Sequence, residues 1–206
     1  MRLDPFYLIV DGAAWIERLV PLGVKLVQLR IKERSLPDIR ADIRRAKAVC
    51  EAHGCQLIVN DYWQLAIEEG CDFVHLGQED LAVADLAAIR KAGLKLGLST
   101  HDEAELAIAL AARPDYIALG PVYTTILKQM KWAPQGLTRL SEWKSRIGDL
   151  PLVAIGGLNV ERIEDALAHG ADSVAVVTDV TRHENPELRT KQWIVATAQA
   201  RIRNLQ

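Results

Sequence analysis

The sequence is short of cysteine, of charge of one sign and of long hydrophobic runs, and each shortage removes a class of protein. Its three cysteines, Cys50, Cys55 and Cys71, are odd in number and include no CxxC pair, which argues against a disulfide framework and a thiolate zinc site. Reduced, buried thiols are the expectation. With 25 basic against 27 acidic residues the formal net charge is −2, so no overall field favours nucleic acid or an anionic membrane. Any anion must be met by a local cluster. The apolar run Phe6–Val10 stops at Asp11, far too short for a signal-peptide core or a membrane span. No linker or low-complexity tract interrupts the chain, and 50% of it is hydrophobic, so residues 1–206 read as one domain. The expectation is a cytoplasmic enzyme with small-molecule partners, no nucleic acid and no membrane, with a homo-oligomer left open.

What is present is an alternation. Short, nearly all-apolar runs at Phe6–Val10, Lys25–Arg30, Gln56–Asn60, Phe73–Leu76, Lys95–Leu98, Tyr116–Gly120, Leu152–Ile155 and Ser173–Val177 have the composition of strands buried on both faces. Between them lie longer amphipathic stretches. Leu36–His53 places Ile39, Ile43, Ala46 and Cys50 at helical spacing, with Arg40, Arg44 and Arg45 on the other side. A turn residue, a spacer and a strand recur as Gly23-Val-Lys-Leu-Val, Gly70-Cys-Asp-Phe-Val, Pro114-Asp-Tyr-Ile-Ala and Gly170-Ala-Asp-Ser-Val. Glycine there can end a helix in the left-handed conformation. Eight such units predict an α/β fold, a single-domain (β/α)₈ TIM barrel, with an open flavodoxin-like sheet as the other architecture.

Barrel enzymes carry their chemistry at the C-terminal ends of the strands, and here those ends are polar. The second strand ends in Gln28, Arg30 and Lys32, the third in Asn60 and Asp61, and the fourth leads to Gln78, Glu79 and Asp80. Ser99 and His101 follow the fifth strand, Thr124, Thr125 and Lys128 the sixth, Gly156 and Gly157 the seventh, and Thr178 the eighth. Cations and carboxylates around one mouth suit a polyphosphate bridged to Mg²⁺. The double glycine and the hydroxyl lie where barrels bind a phosphate through backbone N–H groups, which makes two anion sites. Plainer readings stand beside these. Asp61 with Gln64 makes a capping box, Asp80 can cap the next helix, and Thr100 with Glu103 makes another box in which Thr100 is the cap. His101 fits a cap or loop position better than a catalytic one, and its role stays open. Arg30, ending a buried apolar strand, calls for an anion or another charge.

These segments resemble thiamine phosphate synthase, the thiamine-phosphate pyrophosphorylase family, nearly end to end. The match comprises Gln28-Leu-Arg-Ile-Lys32, Val59-Asn-Asp61, His75-Leu-Gly-Gln-Glu-Asp-Leu81, Gly97-Leu-Ser-Thr-His101, Gly120-Pro-Val-Tyr-Thr-Thr-Ile-Leu-Lys128, Val153-Ala-Ile-Gly-Gly157 and Ser173–Thr178. The resemblance implies a transferase that joins 4-amino-5-hydroxymethyl-2-methylpyrimidine diphosphate to 4-methyl-5-(2-phosphoethyl)thiazole and releases pyrophosphate. It further implies Asp61 and Asp80 as Mg²⁺ ligands and Arg30, Lys32, Asn60, Ser99, Thr125 and Lys128 around the diphosphate. Gln28 would meet the pyrimidine, and Gly157, Val177 and Thr178 the thiazole phosphate. Arg30, Lys32, Ser99 and Lys128 are then the catalytic set. The chain departs from the family pattern at Tyr62, where arginine is common, and at Leu127, where a threonine donor is expected. Two other functions fit the same fold: a thiazole tautomerase, which would not need the metal carboxylates, and a non-catalytic sensor of thiamine precursors.

Overall fold

The computed structural model describes residues 2–125 and 132–203. Its strands, β1 (Phe6–Val10), β2 (Leu26–Leu29), β3 (Gln56–Asn60), β4 (Phe73–Leu76), β5 (Lys95–Thr100), β6 (Tyr116–Leu119), β7 (Leu152–Ile155) and β8 (Ser173–Val176), run parallel in sequence order. β8 pairs back onto β1, with Phe6 opposite Val174 and Leu8 opposite Val176. That closure excludes the open sheet. The helices of the described residues are α1 (Ala13–Leu19), α2 (Leu36–His53), α3 (Trp63–Glu68), α4 (Gln78–Val83), α5 (Leu86–Lys91), α6 (Glu103–Ala111), α7 (Gly136–Ile147), α8 (Ile163–Ala168), α9 (Thr178–Thr181) and α10 (Pro186–Arg203). They form the outer ring expected of a (β/α)₈ barrel.

Alternation along each strand separates two cores. In β1, Tyr7 and Ile9 join Leu26, Ile58, Phe73, Tyr116, Val153 and Ala175 inside the barrel. Phe6, Leu8 and Val10 face outward into the layer shared with the helices. The last helix is fastened there by Trp193, whose ring stacks on Phe6 at 5.5 Å. The turn glycines of the repeat behave as expected: Gly23, Gly70 and Gly170 all have positive φ, at 113°, 61° and 98°. α2 keeps its predicted bounds because Ser35 Oγ accepts from Asp38 N at one end and Gly54, at φ 59°, stops the helix at the other.

The register at the top of β5 differs from the sequence expectation. The strand runs on through Thr100, so Thr100 is not a cap. It is fully buried, its Oγ1 donating to Ala118 O at 3.0 Å and accepting from Trp143 Nε1 at 3.0 Å. α6 is capped instead by Asp102, whose carboxylate accepts from Glu105 N at 2.9 Å. One inward glycine is fixed by its neighbour: a Cβ on Gly97 would lie 2.2 Å from the ring of Tyr116. The missing side chain lets that ring lie across the barrel beneath the mouth.

Candidate active site

β2, β3, β4 and β5 bring most of the expected polar residues to one arc of the mouth. Asp61 sits one residue beyond β3 at φ 65°, a left-handed conformation that non-glycine residues rarely adopt and that costs about 1–3 kcal/mol. It is no helix cap, because α3 starts at Trp63 with Tyr62 in the cap position and no side-chain cap bond. Its carboxylate is instead paired with Lys32 Nζ. Asp80 is no cap either: it is the third residue of α4, behind Gly77. Burial, then the charge of Asp61 and a hydrogen bond to it, hold the Asp80 carboxyl above its usual range, with Lys32 pulling the other way. Asp61 and Asp80 thus lie against each other at the mouth, with Lys32 ion-paired to Asp61.

Arg30 begins where β2 ends, its backbone N donating to Val10 O at 2.8 Å. Its side chain is half-buried and makes no ion pair among the described residues. The anion that the sequence demanded for it is therefore not supplied by the described chain. Asn60, at 5% exposed, closes the inner wall, and Gln78 Nε2 donates to Ser99 O at 2.6 Å, tying α4 to the end of β5.

Below this arc lies a polar group that the sequence reading passed over. His75, the third residue of β4, is 6% exposed. Its Nδ1 is 2.7 Å from Tyr116 Oη and its Nε2 is 2.8 Å from Ser99 Oγ. Tyr116 Oη is 3.0 Å from Tyr7 Oη, which accepts from Gln28 Nε2 at 2.8 Å. Burial pushes the imidazole down to about 4, outweighing Asp61 and helped by Arg30. His75 is thus neutral near pH 7 and poorly suited to take up a proton there. The available signal was a lone histidine inside the apolar run Phe73–Leu76.

The other arc is made by backbone. Gly156 and Gly157 have φ of 96° and 67°, and a Cβ on Gly157 would lie 2.4 Å from Thr124 O. These glycines therefore serve the packing of the β6 and β7 loops as well as any ligand. Arg162, also not singled out from the sequence, donates to Gly157 O and stacks on Tyr123 at 4.3 Å. Val177 and Thr178 stand half-buried at the start of α9. That short helix is pinned by Asp179, which accepts from Arg189 Nε at 2.8 Å and Trp193 Nε1 at 2.7 Å. Thr125 is half-buried and engaged in an interaction. Leu127 and Lys128 lie outside the described residues. His101 is held by Glu105, which takes its Nδ1 at 2.7 Å and its backbone N at 2.8 Å, and its ring stacks on Trp132 at 4.1 Å. Those contacts give it a loop-fixing role.

At the opposite, N-terminal end of the barrel a hollow of about 310 Å³ is lined by Lys25, Lys47, Cys50, Cys55 and Cys71. All three thiols are free and buried. Burial pushes Cys71 up to about 11, and a hydrogen bond to Cys50 together with burial raises Cys55. The raised Cys55 and Cys71 thiols are poor nucleophiles.

Among the described residues no helix is long and apolar enough to cross a membrane, and no group of three His, Cys, Asp or Glu is arranged to hold a metal by itself. A cation at Asp61 and Asp80 would need further oxygens from a ligand or water. That matches how Mg²⁺ is usually held, through one or two carboxylates and substrate phosphates.

Comparison with known proteins places the chain in a family. A thiamine-phosphate synthase of Rhizobium etli is 71% identical over 198 residues, covering 96% of this chain and 97% of that protein. One from Enterobacter sp. strain 638 is 51% identical over 193 residues, covering 94% and 88%. The solved thiamine phosphate pyrophosphorylase of Pyrococcus furiosus superposes with a TM-score of 0.85 at 23% identity over 96% of each chain, a likeness of fold. The family model described as thiamine monophosphate synthase matches residues 6–180, and the chain belongs to that family.

Proposed function

We propose that this family member carries out thiamine-phosphate synthesis with the two arcs of the mouth divided between its substrates. The pyrimidine diphosphate lies against β2 to β5, its ring at Gln28 and its diphosphate among Arg30, Lys32, Asn60, Ser99, Thr125 and Lys128. The thiazole phosphate lies on Gly157, Val177 and Thr178. The carbon–oxygen bond of the pyrimidine methylene breaks, its electron pair leaving with the diphosphate, and the thiazole nitrogen donates its lone pair to the same carbon. No strong base is required, in keeping with a His75 that burial keeps neutral. Arg30 and Lys32 meet negative charge that grows as the bond breaks, which lowers the barrier more than it tightens binding. Asp61 and Asp80 would hold Mg²⁺, which when bound supplies Lewis-acid neutralisation of the diphosphate oxygens.

The observation that carries this reading is the Asp61 and Asp80 pair. Two carboxylates would repel a diphosphate, and Lys32 offsets only one of them, so their presence at the mouth makes sense with a divalent cation between acid and phosphate. The three reduced thiols suit a cytoplasmic setting. Purified protein mixed with both substrates should release pyrophosphate and thiamine phosphate in equal amounts only when Mg²⁺ is present. Isomerisation of a thiazole without release of pyrophosphate would point instead to a tautomerase.

A further inference from the structure

Five side chains on five strands form one hydrogen-bonded file across the inside of the barrel: Gln28, Tyr7, Tyr116, His75 and Ser99. The direction of its protons follows from counting donors. Tyr7 and Tyr116 are 1% and 0% exposed, so a hydroxyl proton left unpaired on either is costly. Each phenol has one proton to give. Tyr7 Oη accepts from Gln28 Nε2, so its own proton goes to Tyr116 Oη. Tyr116 in turn donates to His75 Nδ1. An imidazole that accepts at Nδ1 carries its proton at Nε2, and that proton is donated to Ser99 Oγ, 2.8 Å away. Ser99, half-buried at the mouth end of β5, then keeps its own proton for whatever lies above it.

We propose that this file is a positioning device, with His75 as its central residue, that presents Ser99 to the ligand as a hydrogen-bond donor of fixed direction. The inference rests on the functional reading above for what it connects: Gln28 and Ser99 meet the pyrimidine and the diphosphate, the two ends of one substrate. A donor already aimed at the departing oxygens needs no reorientation as their charge grows. The opposite direction requires Gln28 to present Oε1 to Tyr7. It would place the proton of Ser99 on His75 and leave only lone pairs facing an anion. The ring geometry is enforced: Tyr116 stacks on His75 at 5.5 Å with an 18° tilt, and it occupies the space left by Gly97.

Two measurements test the proposal, one of them independent of turnover. Two-bond ¹H–¹⁵N correlation spectra of the ¹⁵N-histidine-labelled chain, with His75→Gln to assign the signal among five histidines, should show His75 as the neutral Nε2–H tautomer. In Tyr7→Phe, which removes Gln28 from the file, the Nδ1–H form should appear beside it. An Nδ1–H tautomer in the unaltered chain overturns the proposal. In kinetics, Tyr7→Phe and Ser99→Ala should each lower kcat about tenfold, with a smaller change in KM for the pyrimidine diphosphate. The double variant should be no slower than Ser99→Ala, because Tyr7 acts only through Ser99; losses that multiply to about a hundredfold would contradict that coupling. An unaltered chain that makes no thiamine phosphate would refute the functional reading instead, and the tautomer then decides the direction of the file by itself.

Discussion

At the floor of the barrel, Asp115 accepts from Leu96 N and Asp172 from Leu152 N, both at 2.8 Å, and Asp172 also takes Lys144 Nζ at 2.8 Å. At the mouth, Asp61 and Asp80 are in contact with each other, Asp61 in a left-handed backbone and Asp80 held above its usual range. The residues are chemically the same. The floor carboxylates precede their strands and stitch the neighbouring strand in place, whereas the mouth carboxylates follow theirs and oppose each other. A barrel tolerates such repulsion where a ligand resolves it, so the end of the strand on which an acid sits indicates its work.

The largest expected effect breaks this contrast at the mouth. Asp61→Asn and Asp80→Asn should each lower kcat/KM on the order of a hundredfold or more, since metal assistance is worth several kcal/mol. Thermal unfolding should show little loss of stability, because asparagine tolerates the left-handed φ at 61 and the repulsion is relieved. A variant that lost stability and activity together would make the pair structural.

His75 sharpens the comparison through pH. Its folded-state pKa, about 4, lies below the ordinary value of 6.5, so the unfolded chain binds a proton that the native chain refuses between those values. Stability from this residue is therefore intact above pH 6.5 and lost as pH falls toward 4, by up to about 3 kcal/mol. Denaturant unfolding of the unaltered chain and of His75→Gln across that window should show a shallower slope in the variant. Parallel slopes would mean that His75 does not stay neutral.

Arg30 is expected to act more selectively. Arg30→Ala should lower kcat about tenfold or more, as loss of a charged hydrogen bond implies, while KM for the thiazole phosphate stays near its original value. Equal damage to both substrates would merge the two arcs into one phosphate pocket. The smallest effect belongs to the floor. Asp172→Ala should cost about 1 kcal/mol of stability and leave kcat unchanged, and a matching loss of activity would erase the distinction between the two ends.

The barrel was legible because its strands are buried on both faces and its turn glycines recur before them. That Arg30, Lys32, Asp61, Asp80 and Ser99 sit at the mouth followed from the strand ends. What their side chains do did not. Asp61 reads as a cap until its φ places it outside α3, and Thr100 reads as one until Trp143, forty-three residues on, takes its hydroxyl. His75 looks like any histidine in an apolar strand; its meaning lies in Ser99 and Tyr116, on the next two strands, β5 and β6. Arg162 shows its place only through Tyr123 and Gly157.

The pairing of Asp61 with Asp80 as a cation site is tested most directly by calorimetric titration of Mg²⁺ into the chain saturated with pyrimidine diphosphate. One Mg²⁺ per chain should bind, at least tenfold more weakly in Asp61→Asn and in Asp80→Asn, as expected for removal of a charged ligand. Affinity and stoichiometry unchanged in both variants would contradict it.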